Sequence, residues 1–249
     1  MSDNQNRLAA VANSPLGVFV GFIQAYAPVQ LAANPARLHN EVEMSKLLGA
    51  IVHACEGISC PVVHVTSAYE GEGAGALAFD LALTAAGQAG KRTLFLNMNT
   101  APQANYAALA ERAAVPVEAF FQAPQPQQSP VVGLRDVPLF YANFCKNPAS
   151  VAASIQVDTM RELIAGLRGS FDMIVLASES GVNTGVPSLL GNLVDGTLMV
   201  IEAERVRAPV LDELKQKVEI NGGRWLGAVL NRRRFYIPQW VYRFLLGSR

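Results

Sequence analysis

Residues 62–99, VVHVTSAYEGEGAGALAFDLALTAAGQAGKRTLFLNMN, constrain the fold more than any other stretch of this chain. Residues 62–66 are a short apolar, β-branched run, the pattern of a buried parallel strand. Residues 67–75 are small and glycine-rich. Residues 76–89 are rich in alanine and leucine, with Leu77, Leu81 and Ala85 at helical spacing, and Gly90 stands where a glycine commonly closes a last turn. Residues 94–96 read as a second strand. Strand, glycine loop, helix and strand make a βαβ unit whose loop lies at a helix N-terminus. Free N–H groups and the helix dipole favour an anion there.

A phosphate-binding loop of this layout reads A/G-x-x-x-x-G-K-S/T. Here the register gives Ala68, four residues, Gly73, then Ala74 and Gly75. Ala74 stands where a lysine neutralises the β- and γ-phosphates, and Gly75 where a hydroxyl holds magnesium. The frame is that of a P-loop, but the groups that do its chemistry are absent from their positions.

The stretch SAYEGEGAGALAFDLALTAAGQAGKRTLFLNMN resembles the SAxPGEGKST…GKRVLLIDAD stretch of the bacterial tyrosine kinase family. These P-loop proteins are paired with capsule and exopolysaccharide machinery and are related to ParA/MinD ATPases. The resemblance runs over residues 41–244. Glu72 and its flanking Gly71 and Gly73 match, whereas the family's Lys, Ser and Thr become Ala74, Gly75 and Ala76. The acidic motif IDAD becomes Leu96-Asn97-Met98-Asn99, and IIDTPP becomes residues 175–180, with Ala177 in place of the aspartate. Asn231 ends a strand at the place where ParA/MinD relatives set an asparagine against adenine. The resemblance therefore implies a former nucleotide site formed by residues 71–76 with Asn97, Asn99, Ala177 and Asn231.

Magnesium needs oxygen ligands, usually carboxylates and hydroxyls beside the phosphates. Asn97 and Asn99 carry no charge and Ala177 offers nothing. Charge-assisted hydrogen bonds contribute about 1.5–3 kcal/mol each. Losing the lysine and two or three metal ligands removes on the order of 5–9 kcal/mol, roughly four to six decades in binding or rate. The expectation is weak or absent ATP and magnesium binding, with no cofactor and no catalytic residue.

The chain has 249 residues, enough for one α/β domain with a sizeable core. Twenty basic residues balance twenty acidic ones, so nothing pulls the chain as a whole toward nucleic acid. Cys55, Cys60 and Cys145 lack metal-ligand or CxxC spacing and read as buried reduced thiols. His39, His53 and His64 form no ligand pattern. No apolar run reaches the length of a membrane span, and the N-terminus has no basic leader, so a cytoplasmic location is expected.

Three regions follow: an N-terminal segment and linker over 1–38, the P-loop-like domain over 39–231, and a basic aromatic tail over 232–249. Within the first, residues 17–23, GVFVGFI, read as a strand or docking strip. Residues 39–54 read as a helix, where the family carries an E-x-x-R-x-x-R ring-assembly motif. Here Glu43 and Lys46 keep the first spacing, and Gly49 replaces the next basic residue. One or two short helices are expected over 103–121, a strand over 137–142, and a helix over 154–167 with Met160, Leu163, Ile164 and Leu167 as its apolar stripe. Strands at 173–176, 196–202 and 225–231, with helices at 189–195 and 210–221, complete a doubly wound, mostly parallel α/β sheet. Asp172 reads as structural, and Glu179 as a solvated carboxylate. Lys91 and Arg92 sit near a strand start, at the wrong end for the loop.

The tail, RRRFYIPQWVYRFLL over 232–246, is basic and aromatic. Pro238 can begin a helix lined by Ile237, Val241, Phe244 and Leu245 on one side. Such an element either packs back on the sheet or docks on a membrane surface or partner. Tyr236 and Tyr242 are not the tyrosine-rich cluster that active family members phosphorylate.

The resemblance implies a non-catalytic pseudo-ATPase or pseudokinase, a scaffold or regulator in exopolysaccharide synthesis and export. It would dock on the cytoplasmic part of an inner-membrane polysaccharide co-polymerase or on an active paralogous kinase, peripheral to the inner membrane, and could form a homo-oligomer. The alternatives are a tyrosine kinase or ATPase with displaced catalytic groups, and a ParA/MinD-type positioning protein on the membrane.

Overall fold

The computed structural model describes residues 37–99, 102–113, 115–122, 129–145, 157–178, 180–182 and 185–232. In chain order the elements are α1 (Glu41–Ala54), β1 (Val62–Ser67), α2 (Ala74–Gly87), β2 (Thr93–Asn97), α3 (Ala107–Arg112), α4 (Val117–Gln122) and β3 (Val131–Gly133). They continue with β4 (Leu139–Asn143), α5 (Val157–Arg168), β5 (Met173–Ala177), α6 (Val186–Leu190), β6 (Gly196–Glu202), α7 (Ala208–Ile220) and β7 (Trp225–Asn231). The strands form one sheet in the order β3-β4-β2-β5-β1-β6-β7. All pairs are parallel except β3 with β4.

β1 lies near the centre with all six residues buried, which fits its mainly β-branched pattern. Its neighbours are β5 on one side and β6 on the other. The sheet's winding therefore diverges around β1, and a crevice opens beyond the C-terminal strand ends, where the glycine loop lies. One face of the sheet packs α1, α2 and α3 around Val63, Val65, Phe95, Val175 and Leu198. The other packs α4, α5 and α6 around Val62, Leu94, Leu96, Ile174 and Leu176. α7 lies on that second face, where Leu214 buries Met199. α2 is apolar nearly all round because it lies between the sheet and α1; only its last residue, Gly87, is exposed. The expected stripe of α5 is its buried side.

Several elements differ from expectation. α2 begins at Ala74, two residues earlier than expected, because Gly73 adopts φ +94° as its N-cap and the small residues that follow continue the helix. The helix expected over 189–195 is instead Val186–Leu190, started by Pro187 in its first turn. Asp195 is not helical but ties the N-terminal end of β1, accepting from Val62 N at 2.7 Å and pairing with Arg168 at 2.8 Å. β3, an antiparallel edge strand of only three residues, has no counterpart among the expected elements. Residues 17–23, 146–148, Glu179 and 233–249 lie outside the described residues.

Candidate functional site

The loop between β1 and α2 takes its shape from two left-handed glycines, Gly71 at φ +84° and Gly73 at φ +94°. Glu72 lies between them, fully buried. Its carboxylate turns back into the protein, accepting from Tyr69 N at 2.9 Å and from Glu202 N at 3.4 Å. Its backbone carbonyl accepts from Asn231 Nδ2 at 2.8 Å. Asn231 thus braces the loop backbone. A Cβ on Gly73 would lie 2.5 Å from that same amide nitrogen, so glycine is required here by contact as well as by φ. Leu77 N donates to Gly73 O, closing the first helical turn. No side chain caps the end of α2, whose Ala74, Gly75 and Ala76 are all buried.

Beside the loop lies a network of neutral groups. Asn97 and Asn143 end β2 and β4 in matched register, and Asn97 Nδ2 donates to Asn143 Oδ1 at 3.0 Å and to Asn99 O at 2.9 Å. Asn97 Oδ1 accepts from Asn99 N at 3.2 Å, from Asn99 Nδ2 at 3.1 Å and from Tyr106 Oη at 3.4 Å. Tyr141 Oη donates to Asn143 Oδ1. Below, Phe79, Phe95, Tyr106 and Tyr141 stack with ring centroids 5.1–5.8 Å apart. Burial pushes the Tyr106 phenol up to about 12, so it stays a neutral donor. This network reaches Gly75: a Cβ there would meet Tyr106 Oη at 2.8 Å and Asn99 Nδ2 at 3.1 Å. The space a serine or threonine would need is taken by the protein's own side chains. Ala177, buried at the end of β5, offers no side-chain oxygen to a metal ion.

The other sequence candidates fall elsewhere. Lys91 and Arg92 precede β2, at the opposite end of the sheet, where Arg92 N donates to Asp172 Oδ2 at 2.8 Å and its guanidinium lies 4.6 Å from the Phe140 ring centre. Asp172 is structural, as expected. Glu43 and Lys46 pair with one another at 3.1 Å on the exposed side of α1. All three cysteines are buried, and burial pushes the Cys60 thiol up to about 11. No cluster of potential metal ligands occurs among the described residues. No helix among them is long and apolar enough to cross a membrane.

Four participants carry no signal in the sequence that marks them for this site. Tyr106 and Asn143 come from a loop and a distant strand. Asp80 of α2, fully buried, accepts from Leu38 N, His39 N and His39 Nδ1 through Oδ2 and from Asn105 Nδ2 through Oδ1. Glu202, at the end of β6 beside the loop, is held below the usual carboxylate range by a hydrogen bond from Arg205 and by Arg232. For Asn143 the one usable clue is that it ends its strand as Asn97 does.

His64 in β1 is fully buried, with Nε2 2.8 Å from Ser178 Oγ and Nδ1 without a partner among the described residues. Burial lowers its pKa from the ordinary 6.5 to about 3. Between those values the unfolded chain binds the proton and the folded chain does not, so stability rises with pH across this window. We expect the stabilisation to be complete above pH 6.5 and to fall by up to about 1.4 kcal/mol per pH unit as pH drops toward 3. Denaturant melts at about pH 7, 5 and 4 measure that slope. His64→Asn removes its histidine component, and an unchanged slope would contradict the assignment.

No family model matches the chain. Over 172 residues it is 23% identical to Tyrosine-protein kinase CpsD of Streptococcus agalactiae serotype III, covering 69% of this chain and 74% of that protein. The kinase domain of Escherichia coli tyrosine kinase ETK superposes with a TM-score of 0.72 at 15% identity, covering 86% of each chain. The MinD cell division protein of Aquifex aeolicus superposes with a TM-score of 0.57 at 17% identity, covering 76% of this chain and 73% of that one. A centrally placed glycine loop on a mostly parallel sheet gives the chain a P-loop-like fold, and across two thirds of its length its sequence is similar to that of a bacterial tyrosine kinase.

Proposed function

We propose that this chain is a non-catalytic member of that type, a scaffold or regulator in bacterial exopolysaccharide synthesis and export. The observation that carries the reading is the closed neutral network against the loop. Asn97, Asn99, Asn143 and Tyr106 satisfy one another where a magnesium–phosphate group would need charge, and Tyr106 takes the space beside Gly75. A largely buried polar network whose members already satisfy one another offers a cation little and rigidifies its surroundings. The pathway is the one that the sequence resemblance implies, and the similarity to Tyrosine-protein kinase CpsD supports that resemblance.

In this reading the protein works in the cytoplasm through contacts. It docks on the cytoplasmic part of an inner-membrane polysaccharide co-polymerase, or on an active paralogous kinase, and lies peripheral to the membrane through that partner. Self-association belongs to the same reading; nucleic acid does not.

Deleting the gene is expected to reduce exopolysaccharide output, with recovery on complementation. Normal output after deletion would contradict the pathway. Magnesium-dependent ATP hydrolysis that follows the protein through purification would contradict the non-catalytic reading.

A further inference from the structure

The sheet's two ends are covered unequally. β3 is buried throughout, whereas β7 is open along its length. Leu230 is 55% exposed, Ala228 is exposed, and Trp225, Leu226 and Val229 are only partly buried. Among the described residues β7 pairs with β6 alone. A register shift beside Leu198 sets Ala228 and Leu230 opposite Met199 and Ile201, on the face that α7 covers. α7 buries Met199 against Leu214 and leaves Leu230 uncovered. An open, apolar edge strand invites association and is usually covered.

We propose that this strip is covered by the chain's own C-terminal stretch, residues 235–246, and not by lipid. Such a covering does not depend on the proposed function. The chain leaves β7 beside the strip, and residues 233–249 follow it directly. Its departure is turned onto the protein: Arg232 adopts φ +52°, its amide donates to Asn231 Oδ1 at 2.9 Å, and its guanidinium pairs with Glu202 at 3.5 Å. The first residue of the basic run is therefore already engaged by β6.

The lengths agree. Residues 233–237 reach up to about 17 Å when extended, enough to reverse direction. A helix from Pro238 to Leu246 runs about 13 Å, within the roughly 23 Å of a seven-residue strand. Ile237, Trp240, Val241, Phe244 and Leu245 recur at helical spacing, matching an apolar strip with an apolar side. In a layered α/β fold an apolar strand face is buried by a neighbouring element, and this stretch is the next one in the chain.

The chain has two tryptophans, so Trp225→Phe leaves Trp240 as the only indole reporter. In that full-length background, without vesicles, we expect the emission of a buried indole. Leu230→Asp should move it to longer wavelength. A far-ultraviolet circular dichroism spectrum like the parent's should show that the domain itself still folds. As a second variant, Phe244→Asp should speed hydrogen exchange at the Val229 and Asn231 amides, which face β6, by about tenfold. Solvent-exposed Trp240 emission that ignores Leu230→Asp would overturn the proposal. If that emission shifts to shorter wavelength only on vesicles containing anionic lipid, lipid is the occupant, which also overturns it. A concentration-dependent shift accompanied by dimer in sedimentation would make a second copy the occupant and would overturn it too.

Discussion

Gly75→Ser is expected to lower the melting temperature by about 3–10 °C. Its Cβ would lie 2.8 Å from Tyr106 Oη and 3.1 Å from Asn99 Nδ2. Tyr106 is 1% exposed and held among Phe79, Phe95 and Tyr141, so it cannot swing aside. Overpacking of this kind costs about 1–3 kcal/mol. At this chain length each kcal/mol shifts the midpoint by about 2–4 °C. The closest atom is the phenolic oxygen, so Gly75→Ser with Tyr106→Phe should regain part of the loss. A Gly75→Ser variant that melts like the parent would show that the space is open and that a hydroxyl could return. Thermal melts of the parent, single and double variants decide this.

Asp80→Ala is expected to cost more, about 3–5 kcal/mol. The carboxylate is fully buried and accepts four hydrogen bonds, at 2.9 Å from Leu38 N, 2.8 Å from His39 N, 2.7 Å from His39 Nδ1 and 3.1 Å from Asn105 Nδ2. Each buried donor left without a partner costs about 1–3 kcal/mol, and the partly exposed ones recover some of this from water. The substitution also frees two segments together. One is the entry to α1; the other is the Asn105 turn that carries Tyr106 into the loop site. Hydrogen exchange should therefore rise both at residues 38–44 and around Tyr106. A melting temperature within about 2 °C of the parent, or exchange confined to one segment, would contradict this role.

The fold is legible in the sequence because its central strands are buried on both faces and its helices carry clear periodicity. β1, β6 and β7 are mostly apolar runs, and the stripe of α5 from Met160 to Leu167 matches its buried side. β3 is not legible, because three residues give too little pattern to count. The turn between β1 and α2 is legible because the glycines and Glu72 are adjacent in sequence, although Ala74 and Gly75 belong to α2. How the site is closed is not legible. Tyr106 reaches Asn97 through a loop, Asn143 reaches it across 46 residues, and Asp80 meets the chain before α1 across 41 and 42. Such contacts arise from tertiary packing and leave no local signature. Asn231 shows the same limit: its place at the strand end follows from the chain's pattern, but only the structure shows its amide on the Glu72 carbonyl.

If the loop site has exchanged charge for a closed neutral network, nucleotide should find no hold there. Calorimetric titration with ATP and with ADP, each with and without magnesium, decides the matter. No binding heat is expected at high micromolar nucleotide under any of these conditions. Magnesium-dependent binding at micromolar nucleotide would contradict the closed network, because the loop backbone and the Asn97–Asn99 amides would then replace the missing lysine and carboxylates.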